Sequence, residues 1–163
     1  MKLYRKLAIL ILCLPPWAMA EDVVNIKNIG MNLANEIALE AVNVCRQSGY
    51  NVSVVVVDRN GIQRVAVRDD LAIRFTLQIA EEKANAAIMS GIDSSAFRKN
   101  RSDIRPEMNH VKGILMMEGG VVIQAAGYRV GAIGVSGAPG GDKDEVCAKK
   151  AIEKFSERLE FAE

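Results

Sequence analysis

His110 carries the only imidazole in the chain, so it is the one side chain whose unperturbed pKa suits proton transfer near neutral pH. It is also the first candidate for ligating an iron. It closes a polar stretch, residues 100–110, that reads as a loop, where functional side chains concentrate. By residue type the other conceivable iron ligands are Tyr50, Tyr128, Met108, Met116 and Met117. The bland reading of a lone loop histidine is a solvated surface group. Met116 and Met117 adjoin in an apolar run that reads as a strand, so their side chains should point to opposite faces, one of them into the core.

A second set of residues could hold an anion. The loop Ser136-Gly137-Ala138-Pro139-Gly140-Gly141-Asp142 opens a helix, and its glycines let backbone N–H groups approach a carboxylate or phosphate beside the positive helix end. Asp142 and Asp144 already put negative charge there, so a capped turn packed on the sheet is an equal reading. Lys83 sits at the edge of an apolar helical stripe. It is placed either to meet a ligand carboxylate or to run its stem along the surface with its amine in water. Arg98, Lys99, Arg101 and Arg105 form a basic segment able to serve the same carboxylates, or simply a solvated face.

Signatures of catalysis are missing. The chain has no G-x-S-x-G elbow, C-x-x-C, H-E-x-x-H or Walker loop, and one histidine cannot build a zinc cluster. No catalytic residue is assigned. Cys45 and Cys147 both lie on apolar helical stripes, and in an oxidising compartment they are expected to pair, the alternative being two buried thiols.

The elements that must position these groups follow from periodicity. Leu33, Ile37, Ala38, Ala41, Val44 and Cys45 recur at helical steps over residues 28–48, with Gly49 as the stop. Residues 51–58 are β-branched with valine on both alternate faces, which predicts a central strand covered on two sides. Asn60-Gly61 suggests a tight turn of two positive-φ residues, and residues 62–68 return as a strand. A second helix is expected from a cap at Asp69 or Asp70 to Ser90, with Ile73, Thr76, Ala80, Ala84, Ala87 and Ile88 buried. After a short helix near residues 94–99, three strands are expected over 111–117, 120–124 and 128–136. A last helix should span 142–159, capped by Asp142 with Glu145. Adjacent antiparallel strands flanked by helices predict an α+β fold with a five-stranded sheet.

Residues 1–20 read as a cleavable signal peptide, with Lys2, Arg5 and Lys6 before an apolar stretch and Ala18-Met19-Ala20 before the cut. The stretch is too short for a membrane anchor. Residues 21–163 then form a single domain in the periplasm or outside the cell. Cleavage removes three positive charges and moves the formal balance from +1 to −2. No basic stripe is left to neutralise nucleic-acid phosphates. With 50% hydrophobic but only 5% aromatic residues, the core must be aliphatic.

Several segments together resemble the GlcG/HbpS family of small heme-binding or heme-associated proteins. They are Val52-Ser-Val-Val-Val-Val-Asp58 with Asn60-Gly61, Glu82-Lys-Ala-Asn-Ala-Ala87, Glu118-Gly-Gly-Val-Val-Ile123, and Gly131-Ala-Ile-Gly-Val-Ser-Gly137 followed by Asp144-Glu145. The resemblance implies a profilin-like fold, assembly into homo-oligomers, and ligand binding rather than catalysis. It makes heme or a related tetrapyrrole the expected ligand, with Lys83, His110, Ser136, Gly137 and Gly140 as candidate contacts and His110 as the possible iron ligand. The alternative is an accessory or sensory module that binds a small carboxylic acid or an envelope sensor or enzyme. The chain departs from the family in one respect: the histidine some heme-binding members carry near the start of the domain has no counterpart between Glu21 and Gly49.

Overall fold

The computed structural model describes residues 24–162; the expected signal peptide lies outside them. Helix α1 (Met31–Gln47) buries Ala34, Ile37, Ala38, Ala41, Val42 and Cys45 and stops where Gly49 turns left-handed at φ 79°. The chain then crosses the molecule as β1 (Ser53–Asp58), every residue of which is buried, as its two-sided valine pattern predicts. Strand β2 (Gln63–Arg68) pairs antiparallel with β1 and forms an exposed edge. Helices α2 (Phe75–Ser90), α3 (Ser94–Asn100) and the short α4 (Arg105–Met108) follow. The hairpin of β3 (Gly120–Ala125) and β4 (Tyr128–Ser136) leads to α5 (Gly141–Lys154) and α6 (Ser156–Glu160).

The fold is α+β, with an antiparallel sheet in the order β2-β1-β4-β3. Among the described residues it has four strands, not five. The apolar run 111–117 forms no strand: the outer edge of β3 is taken by the start of α3, where Ser94 Oγ accepts from Gly120 N and Asp93 Oδ1 from Val122 N. Its backbone is satisfied piecemeal: Leu115 N donates to Glu82 O and Met116 N to the Asn109 side chain. Met116 is nevertheless buried, beside Ala86 and Phe97, while Met117 is exposed.

Two cores flank the sheet. On one face α1 and α5 cover Val54, Val56, Ile133 and Val135. On the other α2 lays Ala80, Ala84 and Ala87 on Val55, Val57 and Ala132. Each fully buried valine stabilises the fold by about 1.5–3 kcal/mol relative to exposure. The contact under α2 requires small residues. A Cβ on Gly134 would lie 1.8 Å from Ala80 O, and one on Gly120 would lie 2.1 Å from Lys83 O. On the opposite face Cys45 and Cys147 form the expected disulfide, joining α1 to α5 across 102 residues with both sulfurs buried.

Three local expectations change. Neither Asp69 nor Asp70 caps α2, whose N-cap position is Arg74. Asp69 is buried, and Arg46 grips its carboxylate with Nε at 2.8 Å and Nη2 at 2.6 Å, which holds the carboxyl below its ordinary value. Residues 69–74 therefore run as a loop, leaving Ile73 exposed. The turn after β1 has only Gly61 at positive φ. Asp58 organises it by accepting from Asn60 N and Ile62 N. The turn with two positive-φ residues joins β3 to β4 instead, with Ala126 at φ 46° and Gly127 at φ 80°. The expected last helix breaks at Phe155 into α5 and α6.

Candidate functional site

Lys83, Ser136, Gly137 and Gly140 do come together, at the junction of α2, the end of β4 and the start of α5. That junction is closed. Lys83 is 1% exposed, and its Nζ donates to Asp144 Oδ2 at 2.8 Å and to Val135 O at 3.0 Å. The second Asp144 oxygen accepts from Ala138 N at 2.9 Å. Burial pushes the Asp144 carboxyl above its ordinary value, against the charge and hydrogen bond of Lys83. The lysine amine is thus not in water but fixes the glycine-rich loop from inside. A Cβ on Gly119 would sit 2.9 Å from the amine and one on Gly141 2.7 Å from Glu118 O, so neighbouring backbone fills what space remains.

The expected Asp142–Glu145 capping box does not form. Gly140 is the N-cap and offers no side chain. Glu145 turns instead to Ser95 and Lys149. The acidic side chains Asp142 and Asp144 still stand in the first turn, where they complement the positive end of α5.

His110 lies elsewhere, exposed in the turn after α4, with its backbone N–H on Glu107 O. Tyr128 is exposed at the start of β4 beneath the Lys27 ammonium, 5.3 Å from the ring centre, and Tyr50 and Met108 are half-buried against separate cores. Among the described residues no group of three or more His, Cys, Asp or Glu side chains is arranged to hold a metal.

Residues 112–114 wall an open cleft of about 390 Å3, within the range of small-molecule sites, and His110 itself does not line it. Ile88 and Met89 from α2 and Ile114 from the irregular run supply its apolar surface, and Arg59 and Lys112 line it as well. Neither cation forms an ion pair among the described residues. Asn85 fixes the far wall by donating from Nδ2 to Gly113 O, while its Oδ1 is buried without a partner. Asn85 stands two residues from Lys83, about 200° around the helix. One three-residue segment therefore serves the closed junction on one side and the cleft on the other. The sequence does not single out Arg59, Asn85 or Lys112 as one group, because each comes from a different element. The signals were Asn85 in the Glu82–Ala87 segment and Arg59 at the hairpin tip.

Residues 29–153 match the family model described as "Haem degrading protein HbpS-like". The chain belongs to the HbpS-like family. Its architecture agrees with the crystal structure of HbpS at TM-score 0.78, with 33% identity over 84% of this chain and 96% of that one. Klebsiella pneumoniae protein ORFY shares the fold at TM-score 0.77 with 22% identity, covering 85% of this chain and 98% of its own. A PduOC:heme complex does so at 0.67, also with 22% identity, covering 77% and 94%. No curated protein matches the sequence. The HbpS-like core thus spans nearly all the described residues, from the approach to α1 to the end of α5.

Proposed function

We propose that this HbpS-like chain is an exported heme- or tetrapyrrole-binding protein that holds its ligand without catalysis in the cleft lined by Arg59, Asn85 and Lys112. The family match over residues 29–153 carries the reading. The cleft supports it by chemistry: Ile88, Met89 and Ile114 suit a flat apolar macrocycle, and Arg59 and Lys112 suit its carboxylates. His110, exposed two residues before Lys112 but outside the cleft's lining, is the one imidazole the chain offers as an iron ligand. When bound, heme supplies a redox-active iron. The chain's own part is to bind, orient and shield it. The non-catalytic reading rests on the sparse proton-transfer chemistry of a chain with one imidazole and none lining the cleft. Export rests on the leader at residues 1–20. A periplasmic or secreted homo-oligomer acting beside an envelope sensor or enzyme is the setting we infer from the resemblance.

Titration of the mature protein with hemin should give a saturable Soret shift, altered in position by His110→Ala and weakened about tenfold or more by Arg59→Gln with Lys112→Gln. With peroxide or ascorbate added, the bound Soret band should persist at least as long as that of free hemin. The absence of a saturable shift would remove the binding reading. Accelerated bleaching would replace the non-catalytic reading with heme breakdown.

A further inference from the structure

On the side of the molecule formed by α3 and α4 lies a larger cleft, of about 650 Å3, that the heme reading does not use. Three separate elements contribute to it. Ser95, Arg98 and Lys99 come from α3, Arg105 from α4, and Glu118 from the approach to β3. Ser102 adds a hydroxyl from the turn between α3 and α4.

Charge in this cleft is unbalanced. Arg98 Nη1 lies 3.5 Å from Glu118 Oε1, and Arg101, just outside, is held by Asp103. Lys99 and the half-buried Arg105 form no ion pair among the described residues. Glu107 on α4 is exposed and forms none with either. In a chain whose formal charge is near zero, two unneutralised cations facing one concavity raise the local potential and draw anions to it.

Compensation of a helix end explains only part of the arrangement. Arg98 and Lys99 do stand in the last turn of α3, where cations offset the carbonyl dipoles. Arg105 belongs to another helix, yet lines the same space. A guanidinium, an ammonium and a serine hydroxyl lining one cleft match oxygen anions, and two cations without a carboxylate partner suit a ligand with more than one anionic group.

We infer that this cleft is a second binding site, distinct from the proposed heme cleft, for a small polyanion bearing at least two carboxylate or phosphate groups. Lys99 and Arg105 bind the anionic groups, Ser102 adds a hydrogen bond, and Glu118 limits affinity by its own charge while holding Arg98 in place.

The test is isothermal titration of the mature, disulfide-bonded protein at low ionic strength with pyrophosphate, with citrate, and with acetate as the monoanion. Saturable binding of pyrophosphate or citrate, and not of acetate, is expected. Pyrophosphate alone would assign the site to phosphates and citrate alone to polycarboxylates. Lys99→Gln with Arg105→Gln should weaken binding at least tenfold. Glu118→Gln should tighten it severalfold, because a like charge is removed from the cleft. A tighter site cannot be produced by a damaged fold, so this arm separates binding from stability. The inference is overturned if neither polyanion saturates, if acetate binds as well as they do, or if Glu118→Gln leaves affinity unchanged or lower. Hemin titrations should be the same in all these variants, so loss of this site and loss of the heme reading give different results.

Discussion

Lys83→Met removes the cation paired with the Asp144 carboxylate, which lies 3% exposed between α2, β4 and α5. Methionine keeps most of the buried stem, so the volume lost is small and the change is chiefly electrostatic. Asp144 would keep the hydrogen bond from Ala138 N but lose the 2.8 Å contact with the amine, and Val135 O would lose its 3.0 Å donor. Removing one partner of such a pair costs about 3–5 kcal/mol, because the other charge is left in the interior. That is a large part of the roughly 5–15 kcal/mol that stabilises a domain. At roughly 2–4 °C per kcal/mol for a domain near this size, the melting temperature should fall by roughly 6–20 °C. The raised Asp144 carboxyl shows that burial already opposes its ionised form. Lys83→Met with Asp144→Leu should therefore recover most of the loss, since an apolar pair of similar volume is often neutral or better. Thermal and urea unfolding by circular dichroism, without reductant, measure both. The reasoning is refuted if the single variant loses less than about 1 kcal/mol, within the scatter of an ordinary substitution, or if the double variant is less stable than the single one. A stable Lys83→Met that no longer shifted the hemin spectrum would instead return the lysine to a ligand-binding role.

Two further predictions concern the packing that holds the sheet. Gly134→Ala would set a methyl carbon 1.8 Å from Ala80 O, so α2 must move off β4. It should destabilise by about 1–3 kcal/mol or more, read as a lower urea midpoint. Cys45→Ala with Cys147→Ala should lower stability by about 4–5 kcal/mol, because the bridge closes a loop of 102 residues in the unfolded chain. Mass spectrometry of unreduced protein should find no alkylatable thiol at either position, and two would remove the bridge.

Much of the fold could be read from the sequence because burial imposes a period. The two-sided valine run could only be a central strand, and the stripes of α1 and α5 needed cores to face. The same logic failed for residues 111–117, since an apolar run reports burial, not which backbone partners are available. It failed at Asp69 too. An acidic residue before an apolar stripe is a good cap until an arginine 23 residues earlier claims both its oxygens. The candidate site divides likewise. Residue types along the chain show which chemistry is scarce: one imidazole, two cysteines in residues 21–163, and a glycine-rich loop opening a helix. That Lys83 serves Asp144, 61 residues away, and that Arg59, Asn85 and Lys112 line one space, follows from the packing of the elements and not from their order. Periodicity along a chain fixes which side of an element is buried. Which charges meet there depends on how the elements cross, and that is settled by close contacts such as Gly134 on Ala80 that no single segment encodes.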